Sequence, residues 1–75
     1  MSHQYLTVPP GHSILRRREV EARTGLSRST IYAKIAQGCF PRPIKLGERA
    51  VGFVASEIDA WLSKRVAARD QGVRT

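Results

Sequence analysis

The strongest constraint on the fold is a glycine placed between two short helical patterns. Gly25 follows segment 17–24, and Ser27 precedes a run in which Ile31 and Ile35 are four residues apart. Glycine adopts the left-handed conformation that ends many helices, and serine is a favoured first cap of the next helix. A helix, a tight turn and a second helix in this order are typical of a helix-turn-helix.

The second of these helices has an unusually slim outer face. We predict a first helix over about residues 18–24 and a second over 28–37, with Ile31 and Ile35 as its buried stripe. The face opposite that stripe carries Ser29, Thr30, Ala33, Ala36 and Gln37. A helix with such small outer side chains fits the major groove of DNA, which is about 12 Å wide.

Length and charge limit the classes of function. Seventy-five residues make one domain, with a core too small to enclose a substrate pocket. Thirteen Lys and Arg against six Asp and Glu give a net charge of +7, which favours a polyanionic partner. A lone cysteine fits a reducing cytoplasm, and the sequence shows neither a membrane-length apolar run nor the features of a signal peptide. We therefore expect a bacterial cytoplasmic protein, associated with the nucleoid when bound, without a membrane partner.

The segment after the second helix reads as a wing. Pro41 and Pro43 stiffen a connector, and residues 44–46 and 51–53 then alternate apolar side chains with Lys45 or Gly52. Two alternating runs around a glycine-containing turn predict a β-hairpin. Such a hairpin is too small to be stable alone, so we expect it to pack on the helices.

A third helix is predicted to begin at Ser56, which forms a capping pattern with Asp59. Its stripe at helical spacing comprises Ile58, Trp61, Leu62 and Val66. The predicted core comprises Val20, Leu26, Ile31, Ile35, Phe40, Leu46, Val51, Phe53, Ile58, Trp61 and Leu62, with Leu15 as a further candidate and Cys39 as a small filler beside Phe40.

These elements predict a fold that is mainly α with a small β-hairpin, a winged helix-turn-helix. We place this domain at residues 14–69, between a flexible N-terminal tail, 1–13, and a frayed C-terminus, 70–75. The sequence offers no set of zinc ligands, no nucleophile–base pair and no phosphate-binding glycine loop. We therefore expect neither a cofactor nor an enzymatic activity.

Three segments, taken in order, resemble the AlpA family of small phage- and mobile-element-encoded regulators, which have a MerR-like winged helix. The segments are residues 26–32, 38–47 and 56–62. The resemblance as a whole covers about residues 14–69. The Phe-Pro-x-Pro-x-Lys-x-Gly run within 40–47 also resembles phage excisionases, the recombination directionality factors. The resemblance implies the winged topology and a DNA-binding protein that regulates transcription or assists excision of an integrated element.

The candidate base-reading residues are Arg28, Ser29 and Thr30, which open the second helix. The N-terminal residues of a recognition helix reach base edges, where arginine can bond guanine twice. Tyr32 and Lys34 flank that helix and are candidate contacts to phosphate or, for Tyr32, to a base. The alternatives are a half-buried aromatic ring beside the core for Tyr32 and a solvated charge for Lys34.

Basic residues outside the second helix are candidate backbone contacts. Arg49 lies at the expected wing tip, where it could enter a minor groove or bind a phosphate, with Lys45 as its neighbour. The alternative pairs Arg49 with Glu48 or leaves it as a solvated charge. Arg17 precedes the predicted first helix, which crosses the DNA backbone in this motif, so we expect Arg17 to meet a phosphate.

The sequence leaves three functions open. The first is a sequence-specific regulator that binds double-stranded DNA at a promoter on a prophage or other mobile element. The second is an excisionase that binds tandem sites, bends DNA, and assembles with an integrase or with further copies of itself on adjacent sites. The third, of another class, is an adaptor or antirepressor that binds protein through the basic end of the last helix.

Overall fold

Three helices and three short strands make up residues 13–72, the part of the chain that the computed structural model describes. In chain order they are β1 (Ile14–Leu15), α1 (Arg17–Thr24), α2 (Arg28–Ala36), β2 (Ile44–Lys45), β3 (Val51–Val54) and α3 (Ala55–Gly72). The predicted winged helix-turn-helix is confirmed. Residues 1–12 of the predicted tail and residues 73–75 of the predicted frayed end lie outside the described residues.

The turn between α1 and α2 has the predicted chemistry. Gly25 takes φ +74°, and its N–H donates to the oxygen of Glu21 over 2.8 Å, which closes the end of α1. Ser27 caps α2, because its side-chain oxygen accepts from the N–H of Thr30 at 3.3 Å. Local residue chemistry therefore sets the direction in which α2 leaves α1.

The sheet contains one strand more than the predicted hairpin. β1 pairs antiparallel with β3, with Ile14 opposite Val54 and Leu15 opposite Phe53. β2 pairs with the other edge of β3, so β3 is the central strand in the order β1-β3-β2. The N–H of Ala55 also donates to the oxygen of Ser13 over 2.8 Å. The strand that leads into α1 is thereby fixed to the wing.

The predicted hairpin is confirmed in β2 and β3. Lys45 lies opposite Val51, and the N–H groups of Leu46 and Gly47 donate to the oxygen of Ala50 at 2.7 and 3.2 Å. Residues 47–49 therefore form the tip of the wing.

The core lies between the helices and the sheet. Its buried side chains are Leu15, Val20, Ile31, Phe40, Phe53, Val54, Ala55 and Ile58. Leu26, Ile35, Trp61 and Leu62 are partly buried against this group. Phe40 meets the rings of Phe53 and Trp61 edge-on, with ring centres 6.3 and 4.8 Å away, so the connector closes one end of the core as predicted.

Three side chains predicted to be buried, and the last residue of the predicted α3 stripe, are exposed instead. Leu46 and Val51 are each 37% exposed, because they stand beside the wing turn, at the end of the hairpin away from the core. Val66 is 48% exposed, because the part of α3 after Leu62 extends past the core. Cys39 is exposed because its N–H and oxygen are bonded to Lys34 and Trp61, which turns its side chain outward.

The ends of α3 differ from the prediction. The helix begins at Ala55, one residue before the predicted Ser56. It continues through Gly72 and so includes residues 70–72 of the segment that was expected to fray.

Candidate nucleic-acid interface

The outer face of α2 is open to solvent. Ser29, Ala33 and Ala36 are exposed, whereas Ile31, on the opposite side of the helix, is fully buried. The packing therefore orients α2 with its small residues outward. A helix of about nine residues with methyl and hydroxyl groups on this face presents no bulky side chain that would hold it away from a groove.

Hydroxyl groups are held together at the start of α2. The Ser27 oxygen donates to the Thr30 oxygen over 2.9 Å and lies 3.4 Å from the Ser29 oxygen. Beside them, the guanidinium of Arg28 is exposed and makes no ion pair or hydrogen bond within residues 13–72. The first turn of α2 thus carries one free guanidinium, that of Arg28, and two restrained hydroxyls, those of Ser29 and Thr30.

Tyr32 and Lys34 lie on α2 as predicted, with different environments. The Tyr32 side chain is 39% exposed, which places its ring at the surface. Lys34 is half-buried and makes no ion pair with the carboxylates of the described chain. Tyr32 therefore lies at the surface and Lys34 is partly accessible, both at the edge of the outer face.

The wing carries Lys45 on β2 and Arg49 in its tip, and both side chains are exposed. Arg49 makes no ion pair with its neighbour Glu48 or with any other carboxylate between residues 13 and 72. The structure thus leaves the charge at the wing tip uncompensated.

Arg17 differs from the other candidates because it forms an ion pair along α1 with Glu21. Both side chains are about 30% exposed. The pair offsets part of the charge that Arg17 would offer to a phosphate, so the structure does not group it with the unpaired arginines.

Arg16 is a residue that the sequence reasoning missed. Its guanidinium donates to the oxygen of Val51 at 3.3 Å, and its N–H donates to the Glu19 carboxylate at 2.7 Å. The first contact links the start of α1 to the wing across 35 residues of chain. No local pattern signals a contact over that separation.

Basic residues without an ion pair are spread over the described surface. The ion pairs within residues 13–72 are Arg17–Glu21, Arg23–Asp59 and Arg69–Asp70. The cations outside these pairs are Arg16, Arg18, Arg28, Lys34, Arg42, Lys45, Arg49, Lys64 and Arg65. The positive charge of the chain is therefore largely exposed rather than neutralised internally.

A helix-turn-helix with an outward-facing second helix, followed by a basic hairpin, is characteristic of winged helix-turn-helix proteins. The family model described as "Prophage CP4-57 regulatory protein (AlpA)" matches residues 13–66. The chain belongs to this family of phage regulatory proteins, which confirms the resemblance seen in the sequence.

Two relatives are similar over most of the same region. "Uncharacterized protein ORF88" of Enterobacteria phage P4 is 47% identical over 58 residues, which cover 77% of this chain and 66% of the phage protein. The chain thus spans slightly less than two thirds of that relative. "DNA-binding transcriptional activator AlpA" of Escherichia coli strain K12 is 40% identical over 58 residues, which cover 69% of this chain and 83% of that protein.

Two further properties concern the described residues alone. None of the helices between residues 13 and 72 combines the length and the apolar character needed to cross a bilayer. Within the same stretch, no three His, Cys, Asp or Glu side chains gather as a metal site would require.

Proposed function

We propose that the chain is a sequence-specific regulator of transcription that binds double-stranded DNA in the bacterial cytoplasm and is encoded on a prophage or other mobile element. In this proposal α2 enters the major groove, and the wing lies on the adjacent groove or backbone. The observation that carries it is the exposed small-residue face of α2, set opposite the fully buried Ile31. Membership of the AlpA family and the name of the E. coli relative support the same function.

In this proposal, side chains in the first turn of α2 contact the base edges. Arg28 has a free planar guanidinium, which matches the two acceptors of guanine in the major groove. Ser29 and Thr30 offer hydroxyls that donate or accept, and their contacts with Ser27 reduce the entropy lost when they order on a base. Arg28 therefore supplies the main base preference, and the hydroxyls supply adaptable contacts.

In this proposal, side chains on the flanks of α2 and on the wing bind phosphates. Tyr32 and Lys34 flank the outer face of α2, and Lys45 and Arg49 stand on the wing; Lys34 is half-buried and the other three are exposed. Such contacts fix orientation and supply affinity without reading sequence. Arg17 reaches a phosphate in this proposal only by exchanging Glu21 for it, so it contributes less than an unpaired arginine.

The test is the salt dependence of binding, measured by fluorescence anisotropy with labelled duplexes. A duplex selected from a random pool and a scrambled duplex of equal length are compared. We expect a log–log slope of about −4 to −6, which corresponds to roughly five to seven neutralised phosphates. Failure to bind either duplex at about 50 mM salt would contradict DNA binding and would favour the adaptor function.

Footprinting at the native locus separates the two DNA-binding functions. The motif within residues 40–47 resembles excisionases as well as AlpA proteins. Cooperative protection of tandem sites that flank a recombination site would indicate an excisionase. Protection of a site within a promoter, with a change in its transcript level, would support the regulator.

A further inference from the structure

A groove of about 710 Å³ runs between the connector and α3. Residues 38–44 form one wall, and Glu57, Trp61, Lys64 and Arg65 lie on the other. None of the residues proposed to contact DNA lines this groove. The proposed DNA contacts therefore do not account for this groove.

The walls of the groove are held in place by direct contacts. The indole N–H of Trp61 donates to the oxygen of Cys39 over 2.8 Å, which joins α3 to the connector. The Trp61 and Phe40 rings meet edge-on at 4.8 Å, with a 64° angle between their planes. Pro41 and Pro43 further stiffen the connector wall. The groove is thus formed before any partner arrives, which lowers the entropic cost of binding.

The charge on the groove walls is predominantly positive. Arg42, Lys64 and Arg65 line it, together with a single carboxylate, that of Glu57. None of the three cations forms an ion pair with a carboxylate in residues 13–72. The guanidinium carbon of Arg65 lies 5.9 Å from the centre of the Trp61 ring. Unpaired cations around aromatic and proline surfaces complement an anionic chain that also carries apolar side chains.

The terminal residues 1–12 and 73–75 do not have the acidic character that would match this groove. Residues 1–12 contain neither Asp nor Glu, and residues 73–75 contain an arginine. A second copy brings the same net charge of +7, which opposes self-association through a basic groove. Neither these terminal residues nor a second copy therefore matches the charge of the groove, whereas an acidic partner does.

A segment of a protein matches the groove better than a DNA duplex does. A duplex would bring phosphates to the basic residues and leave the accessible parts of Pro41 and Trp61 without an apolar partner, because its bases are stacked inside. We propose that the groove is a docking site for an acidic segment of a partner protein, anchored by a large apolar or aromatic side chain. This inference does not rest on the proposed DNA-binding function.

Trp61 provides a direct probe of occupancy, because it is the single tryptophan of the chain. The ligand is a short synthetic peptide of Asp and Glu residues around a central Leu-Phe pair, titrated into the full-length protein. We expect a saturable change in Trp61 emission that weakens as salt is added. A control peptide with Ala-Ala at its centre should bind about tenfold more weakly, because it lacks the anchor. No saturable change with the Leu-Phe peptide, or equal binding of both peptides, would overturn the proposal.

A matched pair of variants localises the binding. Lys64→Glu and Arg69→Glu make the same charge change on α3, but only Lys64 lines the groove. We expect Lys64→Glu to weaken peptide binding about fivefold more than Arg69→Glu does. Circular dichroism checks that both variants keep the fold. Equal losses in the two variants would show that the peptide senses only the overall charge and would overturn the proposal.

A duplex titration of the same two variants tests the competing occupant. We expect Lys64→Glu and Arg69→Glu to lower the affinity for a duplex by similar factors, through the loss of overall charge. A markedly larger loss for Lys64→Glu would place phosphates in the groove and overturn the proposal. Because wild-type DNA binding is measured separately, failure of the docking site leaves the proposed regulator intact, and the converse also holds.

Discussion

The guanidinium of Arg16 donates a hydrogen bond to the main-chain oxygen of Val51 over 3.3 Å. Arg16 stands directly before α1, and Val51 is the first residue of β3. The contact joins the helix-turn-helix to the wing, and the pairing of β1 with β3 beside it makes the same connection through the backbone. The start of the helix-turn-helix and the wing are thus tied at two neighbouring points.

Replacing Arg16 with alanine should lower the free energy of unfolding by about 0.5–1 kcal/mol, because it removes one partly solvated hydrogen bond. The Glu19 contact to the Arg16 N–H survives in this variant. Urea denaturation of Arg16→Ala and Arg18→Ala measures the effect, since Arg18 is exposed and carries the same charge. Equal stabilities in the two variants would show that the Val51 contact contributes nothing.

Gly52 is required by the close approach of two side chains over β3. A Cβ at this position would lie 2.4 Å from Cγ2 of Ile14 and 3.0 Å from Cδ1 of Leu46. Gly52→Ala should therefore destabilise the fold by about 1–3 kcal/mol. Gly47→Ala is the control, because its Cβ would meet only Ala50, at 4.0 Å. Thermal unfolding measures the stability of both variants. A Gly52→Ala protein as stable as Gly47→Ala would contradict the close packing described at Gly52.

Arg28→Ala tests the proposed base contact. The variant should lose about 1–3 kcal/mol of discrimination between the selected duplex and a scrambled one, because a guanine would lose its two bonds. Anisotropy titrations with both duplexes measure this difference. Equal losses on the two duplexes would assign Arg28 to the phosphate backbone instead.

Arg49→Ala tests the wing tip and should behave differently. Affinity should fall by similar factors for selected and scrambled duplexes, and the salt slope should decrease by about one. Arg69→Ala serves as the control, because Arg69 lies on α3 and pairs with Asp70. If Arg49→Ala bound both duplexes as Arg69→Ala does, the wing arginine would be excluded from the interface.

Trp61 contributes to stability through both its ring and its N–H. Trp61→Ala should cost about 3 kcal/mol, because the ring packs on Phe40 and is only partly buried. Trp61→Phe keeps much of the ring packing but loses the hydrogen bond to Cys39, and should cost about 1 kcal/mol from that loss. Denaturation followed by circular dichroism compares the two. A Trp61→Ala protein as stable as the wild type would contradict the role of Trp61 as a packing residue.

The local parts of the fold were predictable from the sequence. Gly25 and Ser27 mark the turn through their own backbone and hydroxyl chemistry, and the spacing of Ile31 and Ile35 gives the buried side of α2. These signals depend on residues within one or two helical turns of each other. The outward face of α2 follows from the same spacing, so its exposure was predictable as well.

Non-local contacts account for what the sequence did not reveal. β1 is two residues long and exists because Ile14 and Leu15 pair with a strand almost 40 residues away. The alternation in the hairpin gave no measure of how far the core reaches along it, so Leu46 and Val51 were wrongly assigned to the interior. The prediction that Cys39 is buried was wrong for a related reason, because the outward orientation of its side chain depends on the distant Trp61. The contributions of the proposed DNA-contacting side chains stay predictions.

The central position of β3 has a mechanical consequence. β3 is part of the wing, and it pairs with β2 along one edge and with the strand that enters α1 along the other, so the protein has little freedom to change the separation between the wing and the start of α1. In the proposed complex the duplex must then supply the adjustment. Flexible pyrimidine–purine steps would accommodate it at low cost, and stiff tracts would resist it. The compliance of base pairs that no side chain touches would thereby become part of how an operator is distinguished from its surroundings.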